Sequence, residues 1–259
     1  MYIAHSGLEP AGGVSRSHKG LLGVNSDAKP GSSVRNSKAP WIVVSGLDGS
    51  GKTTLATRLA RRLGARFFRL PFHDFVKPGI TRSGDGSPFG DVHTDRLLFA
   101  ADARLTNYLI RDWRHQGTAL VSQRGWMDSY VFSSVQGVPY EGTTQLLQPE
   151  NLECPSAVIY LAAKPEVAYA RIKDDPKADK YETLPFMRLQ YAATLDFHFA
   201  VQARNPLLAP FHEIPAILID TTKLTLDSVY ERGVRFVEDT LRMPQVSAED
   251  SRAGVGAAL

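Results

Sequence analysis

The chain alternates between two kinds of apolar spacing. Ile42-Val43-Val44 is a short unbroken apolar run. Leu55, Leu59 and Leu63 then recur at wider intervals with Arg58, Arg61 and Arg62 between them. The first spacing predicts a buried strand and the second a helix. "ARFFRL" at 65–70, closed by Pro71, reads as a second strand. Residues 72–93 are rich in Gly, Pro and His and follow no period, so they read as a long loop of the kind that is often functional. A long amphipathic helix is predicted from Asp95 to Gly117, with the glycine as its stop. "TALVSQ" follows as a strand and "MDSYVFSSVQG" as the start of a helix. "SAVIYLAA" at 156–163 is a buried strand, and "KPEVAYARIK" turns from it into a helix with Pro165 near its first turn. "YETLPFMRLQYAATLDFHFAVQAR" predicts a further long helix, "AILID" at 216–220 a last strand, and "TLDSVYERGVRFVEDTL" a last helix. Such alternation predicts an α/β fold, a parallel sheet flanked by helices on both faces. Ligands of such folds bind beyond the C-terminal ends of the strands.

The ends of the 259-residue chain look different from its middle. Residues 1–39 are rich in Gly, Ser, Pro, Lys and Arg without periodicity, and read as a disordered basic tail. A basic segment poor in acids could be an organelle presequence, but a plain flexible extension is the preferred reading. Residues 244–259 look like a second disordered tail, which leaves 40–243 as one domain. There is no apolar run long enough for a membrane span. The single cysteine, Cys154, excludes an internal disulfide and fits a reducing compartment, so a cytoplasmic location is expected. A net charge of +3 is too small to imply a nucleic-acid partner. A homodimer is left open.

The chemistry is concentrated in "SGLDGSGKTT" at 45–54. Gly46-x-x-x-x-Gly51-Lys52-Thr53 matches the phosphate-binding loop, between a predicted strand and a predicted helix as that loop requires. Glycines such as Gly46, Gly49 and Gly51 let backbone N–H groups of the loop, through Ser50 and Thr54, approach phosphate oxygens. The helix N-terminus adds partial positive charge, Lys52 adds a full one, and the Thr53 hydroxyl can hold Mg²⁺. A phosphate-bearing nucleotide and Mg²⁺ are therefore the expected ligand and cofactor.

Three classes of phosphate-loop protein compete. A regulatory GTPase needs N-K-x-D after a late strand, and "TTKLTLD" at 221–227 does not supply it. A motor or transporter ATPase needs an apolar strand ending in a metal-binding acid. Asp220 could pass for one, but reads better as a strand-end residue capping the last helix. A small-molecule kinase needs basic side chains at several strand ends to hold two phosphate chains head to head, and the residues favour this class.

"GLDGSGKTT", "RLLFAADAR", "LVSQR…DSYVFSSVQG", "PSAVIYLAAKPEVAYARI" and "DKYE" occur in the order and at roughly the spacing of thymidylate kinases, which the chain resembles over about residues 41–240. The resemblance implies a P-loop kinase fold with a mobile lid and transfer of a phosphoryl group from ATP to a pyrimidine deoxynucleoside monophosphate, dTMP first. It also implies roles. Lys52 neutralises phosphate charge, and Asp48 holds the acceptor in register. Phe99 stacks on a pyrimidine ring, and Arg104 donates to a carbonyl on its edge. Arg124 clamps the acceptor phosphate, with Arg69 as a weaker second clamp. Gly49 and Ser50 leave the loop no basic residue besides Lys52, so the remaining charge is expected from a lid carrying Arg171, Lys173, Lys177 and Lys180.

The resemblance breaks on the acceptor side. The family's D-R-[YH] reads Gln123-Arg124-Gly125, with Asp128 as a candidate replacement for the acid. "RLPFHDF" supplies no clear match for the usual Arg after the second strand, and the 72–93 loop is longer than usual. Two other readings therefore stay open: a kinase of the same fold acting on another nucleoside, nucleotide or modified base, and a non-catalytic nucleotide-binding protein.

Overall fold

A computed structural model describes residues 38–76, 92–174 and 181–242. Both tails apart from Lys38 and Ala39, most of the 72–93 loop, and Lys177 and Lys180 lie outside the described residues.

Five strands form one parallel sheet: β1 (Trp41–Gly46), β2 (Arg66–Arg69), β3 (Leu120–Gln123), β4 (Ala157–Ala162) and β5 (Ala216–Asp220). Their spatial order is β2-β3-β1-β4-β5. The longer helices are α1 (Lys52–Leu63), α2 (Val92–His115), α3 (Asp128–Val135), α4 (Tyr140–Leu147), α5 (Pro165–Ile172), α6 (Leu184–Gln202) and α7 (Leu226–Arg242).

β1, β3 and β4 are buried on both faces, and the alternation of side chains sorts the residues of β1 and β4 into two cores. Trp41 and Val43 of β1 join Val158 and Tyr160 of β4 on one face, against Ile110 and Trp113 of α2, Tyr130 of α3 and Phe197 of α6. Ile42 and Val44 join Ile159 and Leu161 on the other, against Leu55 and Leu59 of α1 and Val229 and Val237 of α7. Each such side chain, fully buried, contributes roughly 1.5–3 kcal/mol relative to exposure. Gly233 lets α7 approach closely, since an added Cβ would lie 3.0 Å from Leu55 Cδ1.

Two details depart from the sequence pattern. The region after α3 holds α4, whose "YEGTTQLL" is too short to show a period. Asp220 does not cap α7: its Oδ1 accepts from Thr222 N at 2.8 Å, while Thr225 Oγ1 accepts from Ser228 N at 3.2 Å. The cap is thus Thr225, the residue adjoining the first turn, and Asp220 is too far upstream to reach it.

Candidate active site

β1 ends at Gly46 and α1 begins at Lys52, so the intervening loop lies at the C-terminal edge of the sheet. Its close packing requires glycine. Gly46 has φ +128° and an added Cβ would sit 2.0 Å from the Leu161 carbonyl oxygen; Gly49 has φ +75° and would meet Ala168 O at 2.2 Å. The loop is thereby held against β4 and α5. Gly51 precedes α1 with φ 97° and offers no side-chain cap, which leaves the first-turn N–H groups available to an anion.

Lys52 is 3% exposed and its Nζ donates to Leu47 O at 2.6 Å and Asp48 Oδ1 at 2.8 Å. Asp48 also accepts from Arg124 Nη2, at 2.9 Å on Oδ1 and 2.7 Å on Oδ2. Parallel pairing brings them together: Val44 of β1 pairs with Gln123 of β3, and Arg124 N donates to Val44 O at 2.9 Å. Arg124 has φ 69°, left-handed for a non-glycine residue. A strained backbone of this kind is typically held where a side chain must be aimed. Arg124 also lies 3.6 Å from Asp128 Oδ1 and 5.2 Å over the Phe132 ring. Asp128 accepts from Ser45 Oγ at 2.5 Å and Gly125 N at 2.8 Å.

The charges are strongly coupled. Burial pushes the Asp48 carboxyl up, but Arg124 and Lys52 outweigh it and hold the group well below the usual carboxylate range. Burial lowers the Lys52 ammonium to about 8, with Asp48 opposing that shift and Arg124 adding to it. Thr53 is exposed at the mouth of the loop, and its hydroxyl donates to Gln123 Oε1 at 2.8 Å.

Two pockets flank this cluster. One is lined by Phe99, Phe132, Tyr181, Arg96, Thr143 and Arg124, among others. The Phe99 and Phe132 rings are near-parallel at 6.2 Å, and Tyr181 meets Phe132 edge-on at 5.5 Å. Arg96 Nη2 donates to Gly142 O at 3.1 Å, while Arg96 Nε and Thr143 Oγ1 are buried without a hydrogen-bond partner. The other pocket is lined by Gly49, Ser50, Gly51, Thr54, Arg58, Arg171 and Tyr230, among others. Arg58 stacks over Tyr230 at 3.9 Å and reaches Asp227 at 2.7 Å.

Three of the expected placements need correction. Arg104 does not line the aromatic pocket; it donates to Gln148 Oε1 at 2.9 Å. At about 100° per residue it is rotated about 140° from Phe99, whereas Ala103 and Arg96 lie within about 60°, and both of these line the pocket. Arg171 belongs to α5 and not to a lid loop; its guanidinium donates to Gly49 O at 3.0 Å and Thr221 O at 3.2 Å. Arg69 is exposed and lines neither pocket, because strand alternation sends Phe68 into the core and Arg69 the other way. Lys173, just past α5, is exposed.

Sequence reasoning passed over Arg96, Phe132, Thr143 and Tyr181 in one pocket and Arg58 and Tyr230 in the other. Arg96 and Phe132 carried a usable signal, one lying three residues before Phe99 and the other on the helix following Arg124. Thr143 and Tyr230 carried none.

A parallel sheet with a phosphate loop at its C-terminal edge, and a pocket on each side of that loop, defines a nucleotide-binding phosphate-loop domain. No protein-family model matches the chain. It is 31% identical over 157 residues to a probable thymidylate kinase of Pyrobaculum aerophilum, a match spanning 57% of this chain and 77% of that one. A thymidylate kinase of Caldicellulosiruptor saccharolyticus is 28% identical over 222 residues, spanning 79% and 98%. Among solved structures, the thymidylate kinase of Candida albicans superposes with a TM-score of 0.63 at 18% identity, covering 79% of this chain and 93% of that one; this likeness concerns the fold. The chain belongs to the thymidylate kinase family.

Among the described residues no helix is long and apolar enough to cross a membrane.

Proposed function

We propose that this protein transfers the γ-phosphoryl group of ATP to dTMP. The observation that carries the reading is the placement of the Lys52–Asp48–Arg124 cluster between two pockets of different character. The pocket beside Gly49, Gly51 and Arg171 is the donor side, and the aromatic pocket is the acceptor side.

Donor phosphates would lie along the loop, taking the first-turn N–H groups of α1 and the Lys52 ammonium as partners. Mg²⁺ is the expected cofactor, and the residues fit it: the Thr53 hydroxyl is a hard oxygen donor at the loop mouth, and phosphate and water oxygens would supply the other ligands. When bound, the ion neutralises charge on the donor phosphates. Arg124 clamps the acceptor phosphate, and Asp48 keeps both Lys52 and Arg124 oriented until substrates compete for them. Arg171, tied to Gly49 O, steadies the loop from the donor side. Phe99 and Phe132 offer flat faces to a base. Arg96 Nε and Thr143 Oγ1 are the groups a base edge would satisfy, because buried donors without partners are unfavourable. Lys173, Lys177 and Lys180 are expected to supply further positive charge to the transferring group.

The test is a coupled assay with Mg-ATP against dTMP, dUMP, dCMP, dGMP and thymidine. The expected result is formation of ADP and dTDP, with dTMP the best acceptor by kcat/KM. Phosphorylation of thymidine without that of dTMP, or transfer to none of the panel, would overturn the assignment.

A further inference from the structure

We infer that Gln123 is a positioning residue for the metal-binding hydroxyl of Thr53. As an amide where the family pattern has a carboxylate, it orients that hydroxyl without adding negative charge beside the ion. The inference rests on the kinase reading for the identity of the ligand.

Gln123 ends β3 at 7% exposure, and its Oε1 accepts the Thr53 hydroxyl proton at 2.8 Å. A hydroxyl has one proton and two lone pairs. Fixing the proton on Gln123 turns the lone pairs of Thr53 away from β3, toward the loop mouth where Thr53 is exposed. A carboxylate at 123 would accept the same proton and also place a negative charge beside the cation. The amide keeps the orientation and omits the charge.

Among the described residues no nearby acid restores that charge. Asp48 is neutralised by Lys52 and Arg124. Asp128, the sequence-level candidate to replace the missing acid, is held by Ser45 Oγ and Gly125 N and lies 3.6 Å from Arg124. Two carboxylates thus face two cations around the loop. Among the described residues there is no group of three or more His, Cys, Asp and Glu that could hold a metal ion. A divalent ion at Thr53 would find its attractive charge on the nucleotide phosphates.

The experiment is titration of the full chain with Mn²⁺, following free Mn²⁺ by electron paramagnetic resonance, with and without a non-hydrolysable ATP analogue. Wild type should bind Mn²⁺ only with the analogue. Gln123→Glu, which puts a carboxylate oxygen where Oε1 now lies, should raise the nucleotide-free affinity by about tenfold or more, as expected for one added charge near a divalent ion. Gln123→Leu should weaken the Mn²⁺–analogue complex by about tenfold. It should add little to Thr53→Val, because Gln123 acts on the ion only through the Thr53 oxygen. Equal nucleotide-free binding by wild type and Gln123→Glu would overturn the inference. So would unchanged Mn²⁺–analogue binding in Gln123→Leu, or additive losses in the double variant; these last two arms decide the matter even where Gln123→Glu fails to fold. No arm requires turnover, so loss of the kinase reading alone would leave nucleotide-dependent Mn²⁺ binding intact.

Discussion

Arg124 and Asp48 meet at 2.7 Å although 76 residues separate them, and Asp48 in turn holds Lys52 at 2.8 Å. One carboxylate therefore orients both cations assigned to the donor and acceptor phosphates. Replacing Arg124 with Ala should leave Asp48 with Lys52 as its remaining cation. We expect acceptor kcat/KM to fall by about 10²-fold with little change in ATP affinity, as for loss of a major electrostatic contact. Arg124→Lys should rescue little, since an ammonium lacks the guanidinium fork. A change in ATP affinity without one in acceptor parameters would move Arg124 to the donor side.

Lys52→Ala should reduce phosphoryl transfer by about 10²-fold or more. A pH dependence follows as well. The folded-state value of about 8 lies below the ordinary 10.5, so between these limits the unfolded chain binds the proton more tightly. This group's contribution to stability is therefore unfavourable below pH 8 and is relieved as pH rises toward 10.5. Nucleotide affinity should run the opposite way, weakening from pH 7 to 9 as the ammonium discharges. Lys52→Arg should abolish that decline, measured as the Kd of an ATP analogue. A wild-type affinity flat across this range would contradict the assignment.

Gly49→Ala should destabilise the protein by about 2 kcal/mol or more, because it combines left-handed backbone with a clash against a backbone oxygen. The added Cβ would lie 2.2 Å from Ala168 O. Gly64→Ala is the control: Gly64 is also left-handed at φ 58° but has nothing within 4 Å, so it should show the backbone effect without the clash. Equal losses in urea unfolding would show that the loop yields more readily than the packing implies.

Base selectivity should follow the pocket walls. Arg96→Ala and Thr143→Val are each expected to lower kcat/KM for dTMP relative to dCMP by about tenfold, in keeping with loss of one base-edge contact. Arg104→Ala should change this ratio by less than about twofold, since surface substitutions are usually near neutral. The comparison requires only competition between the two acceptors. A larger effect at Arg104 than at Arg96 would return base reading to the position expected from the family pattern.

Removal of residues 1–37 should leave melting temperature and turnover nearly unchanged, because that segment has no core-forming apolar pattern. A fall in melting temperature of more than about 4 °C, roughly 1 kcal/mol at this size, would show that it packs on the domain.

What the sequence determined by itself were features set over short stretches of chain. The apolar runs at 42–44 and 157–162 are short, unbroken and rich in β-branched residues, as suits strands buried on both faces of a sheet, and the period change at Lys52 marks a strand-to-helix turn. The glycines and Lys52 within that turn specify phosphate binding because the loop's geometry is local. Phe99 and Arg124 were also legible, one from its family pattern and the other from its position at a strand end. The tertiary structure alone decided which long-range neighbours those residues meet. Parallel register sets Gln123 against Thr53 across 70 residues, and no spacing along the chain encodes that contact. Rotation of α2 against the sheet turns Arg96 and Ala103 to the pocket and Arg104 away from it. The packing of α5 sends Arg171 to the loop carbonyl of Gly49, where the family resemblance and the charge pattern had suggested a lid. A periodic pattern fixes which residues share a face, but packing of the other elements decides what that face meets.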